Sequence, residues 1–149
     1  MKTIILIAGL LFCANSANSE EKQKNLTLEY AKKIVAKAEA HAKKKNWKMS
    51  IAIVNSEGNL MYFQRDPDAF VGSIDVSIQK AVSSNAFQRP TSAFVEAVKS
   101  GRNGVIGVKN VVALEGGVPI MLDGKFVGAI GVSGAKASED EETAKAALE

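Results

Sequence analysis

The chain is poor in the residues that most often carry metal and redox chemistry. Its 149 residues include one cysteine, one histidine, one tryptophan and three prolines. The lone cysteine, Cys13, cannot form an internal disulfide or supply paired thiolates to zinc. One histidine excludes a His-pair zinc centre. No Gly-x-Ser-x-Gly elbow is present, since Gly131-Val132-Ser133 runs into Gly134-Ala135, so an α/β-hydrolase nucleophile has no seat. Pairs of carboxylates stay open as acid–base groups, because spatial neighbours are invisible in a sequence. The apolar run Ile4 to Phe12 is too short to span a bilayer, which takes about 20 residues. Charge of one sign is also scarce: the formal net charge is +3. The basic residues gather in the first helical segment, at Lys32, Lys33, Lys37, Lys43, Lys44 and Lys45, without aromatic or arginine interleaving. That pattern describes a solvated helix face rather than a nucleic-acid surface.

What is present begins with an export pattern. Met1-Lys2 gives a positive start, Ile4 to Phe12 an apolar core, and Ala14-Asn15-Ser16 and Ala17-Asn18-Ser19 small residues spaced as a cleavage site requires. Residues 1–19 read as a signal peptide and residues 20–149 as one mature domain, periplasmic or secreted. Cleavage removes Cys13. Phe12 stands where a lipidated cysteine wants a small neighbour, which favours soluble export. The chain is 46% hydrophobic and 23% charged, the balance of a domain with an ordinary core.

Thr27 is the expected N-cap of a helix over 28–45, with Ala31, Ile34, Val35, Ala38 and Ala42 at helical spacing. Met49 to Asn55 and Leu60 to Arg65 read as strands joined by the turn residues 56–59. A helix is expected over 73–87 with Ile74, Ile78, Ala81 and Val82 on one side, ending before Pro90. Another spans 92–99, and residues 101–109 form a glycine-punctuated loop. Strands are expected at 111–114, 118–122 and 125–132, the last two joined by the hairpin signal Asp123-Gly124. Ser138 and Glu141 propose a capping box for a final helix. Consecutive hairpins exclude a parallel βαβ design, leaving an α+β domain with helices packed on an antiparallel sheet.

The stretch GAIGVSGAKASEDEE, residues 128 to 142, looks at first like a phosphate cradle. Its glycines lie inside a strand, however, and the helix behind them opens on carboxylates that repel phosphate. Along that strand Val127, Ala129, Gly131 and Ser133 share one nearly flat face. Glycine inside a strand marks close approach by another backbone or by a ligand. A tightly packed helix and a shallow floor for a planar apolar guest both fit.

The segments LTLEYAKKIVAKAEAHAKK, GSIDVSIQKAVSSNAFQRPT and EGGVPIMLDGKFVGAIGVSG, with Glu139-Asp140 behind them, resemble the GlcG/HbpS-like proteins, which include the C-terminal domain of PduO. The resemblance runs from about Leu26 to Leu148. It implies a profilin-like three-layer α/β/α fold with a five-stranded antiparallel sheet, binding of haem or a related planar tetrapyrrole, and a homo-oligomer. For some members it implies haem degradation or redox sensing outside the cell. The chain departs from the family pattern at Glu115, at Gly134-Ala135-Lys136, at Glu139 and at Val105 to Val108.

Four residues are the candidates for holding such a cofactor. His41, the sole histidine, is the expected iron ligand or else a rim residue of the first helix. Arg89 suits a propionate carboxylate or a surface ion pair. Thr91 suits a ligand oxygen or a helix cap. Gly131 would be the floor. Tyr30, Tyr62, Met49, Met61 and Met121 read as core filling or ring partners, and Asp75 as a complement to its helix dipole. Three functions fit these residues: a haem-binding module, an enzyme acting on haem or a small metabolite, and an oligomeric interaction protein without cofactor.

Overall fold

The computed structural model describes residues 25–149. The expected signal peptide and Cys13 lie outside the described residues. The first helix, α1, spans Leu28–Lys44, and the Thr27 hydroxyl accepts from the Tyr30 amide at 3.2 Å as the N-cap chemistry predicts. Strands β1 (Ser50–Asn55) and β2 (Leu60–Arg65) form the first hairpin. Then come α2 (Ser73–Phe87), α3 (Ser92–Lys99) and a 3-10 turn over Asn103–Gly107. Strands β3 (Gly117–Leu122) and β4 (Lys125–Ser133) form the second hairpin, and α4 (Ala137–Ala146) closes the described chain. At the second hairpin Asp123 and Gly124 both take positive φ, 50° and 77°, the backbone that a two-residue turn between right-twisted strands needs.

The sheet has four antiparallel strands in the order β2-β1-β4-β3, not five. The segment expected as a strand at 111–114 is irregular. Its Val112 amide donates to the Ser83 hydroxyl at 3.0 Å instead of to a sheet ladder, and Asn110 just before it turns the chain with φ 67°. A side chain on α2 thus takes the donor that a fifth strand would have used.

The two faces of the sheet are packed differently. On one, α1 and α4 cover Ile51, Ile53, Ile130 and Val132, each at most 1% exposed. Burial of side chains this size contributes about 1.5–3 kcal/mol each. On the other face α2 lies against Ala52, Val54 and Ala129. Here the sequence reading needs correction. Of the residues expected on one side, Ala81 is fully buried and Ile78 and Val82 pack at the cluster's margin, while Ile74 is half-buried. The α2 residues that bury completely beside Ala81 are Ser73, Ser77, Ser83 and Ser84. A flat sheet face admits a helix closely only if the helix is flat too. The serines satisfy their hydroxyls locally: Ser77 donates to the Ile74 carbonyl at 2.8 Å and Ser84 to that of Arg89 at 2.9 Å.

The last helix begins one residue before Ser138, at Ala137. Glu139, not Glu141, reaches back, its Oε2 accepting from the Lys136 amide at 3.1 Å. Glu141 is turned inward, where it accepts from Ser92 at 3.0 Å and pairs with Lys145 at 2.7 Å.

Candidate functional site

His41 sits in the last turn of α1, its side chain 24% exposed, and its Nε2 donates to Glu142 Oε1 on α4 at 3.0 Å. Lys45 reaches the same carboxylate oxygen at 3.3 Å. The Trp47 ring lies 6.0 Å from the imidazole, with the Lys45 ammonium 5.5 Å over its face. The hydrogen bond from His41, then that from Lys45, hold the Glu142 carboxyl below its ordinary range. A carboxyl depressed by folding contributes stability above its unfolded pKa and loses it as pH falls through the folded one. The pair faces solvent, so this contribution is small. Acidification through that window should nevertheless release His41 from Glu142, seen as a shift of the His41 ring resonances that is absent in Glu142→Gln.

Arg89 and Thr91 lie elsewhere. Arg89 is exposed beyond the end of α2, and its Nε donates to the Phe87 carbonyl at 3.3 Å. Thr91 is fully buried. It makes no side-chain cap; its hydroxyl accepts from the Gly117 amide at 2.9 Å, and its own amide donates to the Gly117 carbonyl at 2.9 Å. Arg-Pro-Thr and Gly-Gly-Val-Pro are therefore two halves of one backbone clasp. A Cβ at Gly117 would lie 2.3 Å from the Lys80 carbonyl oxygen and 2.6 Å from Thr91 Cγ2, so only glycine fits there.

Gly131 is not an open floor. A Cβ built on it would stand 2.0 Å from the Ser77 carbonyl oxygen and 2.5 Å from the Ala81 nitrogen. Helix α2 seals that face, and of the two readings of the glycine stretch the packed helix is the observed one. Thr91 and Gly131 are thus withdrawn as ligand contacts, and His41 and Arg89 occupy separate neighbourhoods. Met49 is core at 3% exposed, Met61 and Tyr62 pack at the core margin, and Tyr30 and Met121 are exposed.

Beneath the glycine clasp lies a group that the sequence reading missed. Lys80 on α2 and Asp140 on α4 form an ion pair at 2.7 Å, with side chains 2% and 4% exposed. The Lys80 ammonium also donates to the Val132 carbonyl at 2.9 Å, and the Ala135 amide donates to Asp140 Oδ1 at 3.0 Å. Burial pushes the Asp140 carboxyl up from its ordinary value, and the attraction of Lys80 opposes that shift without cancelling it. The available signal was Lys80 beside Ala81, three residues beyond Ser77, on the stripe that faces the sheet.

A cavity of about 240 Å³ opens under the C-terminal end of α1, lined by Glu39, Ala42, Lys43, Trp47, Lys48, Met49, Ile51 and Asp66 among others. Among the described residues no group of three His, Cys, Asp or Glu side chains could hold a metal ion by itself. No helix among them is long and apolar enough to cross a membrane.

Comparison with known proteins adds the family. Residues 26–149 match the model described as "Haem degrading protein HbpS-like". Protein GlcG of Escherichia coli strain K12 is 35% identical over 108 residues, 72% of this chain and 81% of that protein. The crystal structure of HbpS superposes with a TM-score of 0.77 at 30% identity, covering 83% of this chain and 87% of that one. A PduOC:haem complex shares the fold with a TM-score of 0.76 at 23% identity, covering 83% and 93%. With a match that spans the whole described domain, and the glycine clasp explaining its most distinctive motifs, the chain belongs to the HbpS-like family.

Proposed function

We propose that this protein is an exported haem-binding protein that works as a homo-oligomer. The observation that carries the reading is family membership across residues 26–149. A relative of the same fold forms a complex with haem, which supports it further. Export rests on the signal pattern of residues 1–19.

His41 is the residue on which the chemistry of the donor set fits haem iron. Its Nε2 is engaged by Glu142, which leaves Nδ1 as the donor atom. A carboxylate on the far nitrogen is how metal-ligating imidazoles are usually oriented. Bound there, haem would supply an iron centre for redox or oxygen chemistry. Arg89, exposed on its own loop, would reach a propionate only from a different protomer or a different pose. The cavity of about 240 Å³ is smaller than sites that enclose drug-sized ligands, about 300–1,000 Å³. A porphyrin would therefore lie on the surface, with a second subunit as its other wall. Phe70, Val71 and Ile106 are exposed apolar side chains, 56%, 74% and 62% exposed, of the kind that subunit contacts cover.

Hemin titration of the purified protein tests the reading. The expected result is a saturable Soret shift, lost in His41→Ala and weakened about tenfold or more in Glu142→Gln, the usual cost of removing an outer partner of a ligating histidine. Iron-free protoporphyrin should not distinguish Glu142→Gln from wild type. A Soret band that never saturates removes haem binding; an unchanged band in His41→Ala removes only that ligand. The family's description also favours turnover, which predicts loss of the Soret band with reductant or peroxide faster than for free hemin.

A further inference from the structure

We propose that the cavity under the α1 C-terminus binds a small zwitterionic amino acid with a large apolar or aromatic side chain. Its volume of about 240 Å³ sets the scale. An apolar cavity of about 150 Å³ accommodates benzene, so this one has room for a single ring plus a few polar atoms. Its floor is apolar: Ala42, Met49 and Ile51 line it, and they are 4%, 3% and 1% exposed. Trp47 supplies an aromatic wall. These surfaces suit a hydrocarbon body.

The rim carries both charges. Lys43 and Lys48 face the opening with Glu39 and Asp66. Lys48 stands 3.7 Å from Asp66 and 3.9 Å from Asp68, at the long end of ion pairing and in solvent, so a ligand can replace those contacts at small cost. A purely anionic guest would meet two carboxylates, and a purely cationic one two ammonium groups. A molecule with an ammonium and a carboxylate on one carbon finds a partner for each, which is selection by mismatch as much as by attraction. Glu39 and Lys43 lie on successive turns of α1, which places one group of each sign on the same helix face.

This site adjoins the one proposed for haem through Trp47, 6.0 Å from the His41 ring, but does not share its ligand. His41 points at Glu142 on α4 and is absent from the cavity lining. Trp47 is the only tryptophan in the chain, so its fluorescence reports on the cavity directly. Titration of the purified protein with L-phenylalanine, which does not absorb where tryptophan is excited, should give a saturable change. Phenylacetate and phenethylamine each lack one of the two charges and should bind about tenfold or more weakly, the usual loss when a charged hydrogen-bond partner is removed. Glu39→Gln and Lys43→Gln are exposed substitutions that leave the fold intact, and each should weaken phenylalanine by a similar factor while hemin titration stays unchanged. No saturable response up to about 10 mM, equal binding of phenylacetate, or an unaltered response in both variants would overturn the proposal.

Discussion

Replacing Lys80 by methionine, or Asp140 by leucine, is expected to lower unfolding free energy by about 3–5 kcal/mol, the usual cost of stranding one charge of a buried pair. Either change leaves the partner with nowhere to place its charge: the pair is made at 2.7 Å with both side chains at most 4% exposed. The double replacement behaves differently. Folding raises the Asp140 pKa, burial being the larger cause, so the attraction of Lys80 does not repay the water that the carboxylate gives up. A pair of that kind is replaceable by apolar side chains of similar volume at little cost or with a gain of about 1–4 kcal/mol. The Ala135 amide, which loses its acceptor on Asp140, and the Val132 carbonyl, which loses the Lys80 donor, each subtract about 1 kcal/mol from that gain. Urea midpoints of the two single variants and the double variant measure the cycle. Single losses under about 1 kcal/mol, or a double variant no better than its worse parent, would show that the pair is not desolvated as described. The pH dependence has a definite sign as well. A carboxyl raised by folding contributes fully below its unfolded pKa, and that contribution is lost as pH rises through the folded value. A protonated Asp140 can still accept from Lys80 and the Ala135 amide, as leucine cannot, so wild type should gain stability from Asp140 on mild acidification, and Asp140→Leu should lose that slope.

This pair also marks the limit of what the sequence discloses. Helix α1 was legible because its cap at Thr27 and its apolar stripe are local patterns, and both hairpins were legible because turn chemistry is local. The fifth strand was misread because residues 111–114 have strand-like composition, yet a hydroxyl 29 residues earlier takes the Val112 amide. Helix α2 is legible in extent and in Ala81, but not in its buried serines, since the apolar-inside rule fails where a flat sheet needs small residues against it. Of the site residues, His41 was visible as the sole histidine. Its partner Glu142, 101 positions away, reads in the sequence only as one of the carboxylates opening the last helix. Thr91 and Gly131 were conspicuous as motif members, but what made them conspicuous is backbone packing, which a sequence motif cannot tell from ligand contact.

Gly131→Ala is the sharpest test of that packing, with an expected loss of about 1–3 kcal/mol from a single methyl group, and more for Gly131→Val. The obstacles are main-chain atoms, the Ser77 carbonyl oxygen at 2.0 Å and the Ala81 nitrogen at 2.5 Å from the added carbon. No rotamer change moves them, so α2 must lift from the sheet or bend. Gly104→Ala is the control: an added carbon there meets nothing within 4 Å. It should be neutral, or gain about 0.4–1 kcal/mol through the stiffer unfolded chain. A further variant separates side-chain crowding from main-chain contact. The Ala81 Cβ lies 3.0 Å from the added carbon, so Ala81→Gly would relieve Gly131→Ala if side chains were the obstacle. It removes neither closer atom, and a glycine inside a helix costs about 1 kcal/mol more than alanine. The double variant should consequently be less stable than Gly131→Ala alone. Recovery in the double variant would mean that α2 and β4 are held apart by side chains, and that the sealed face still has room to open.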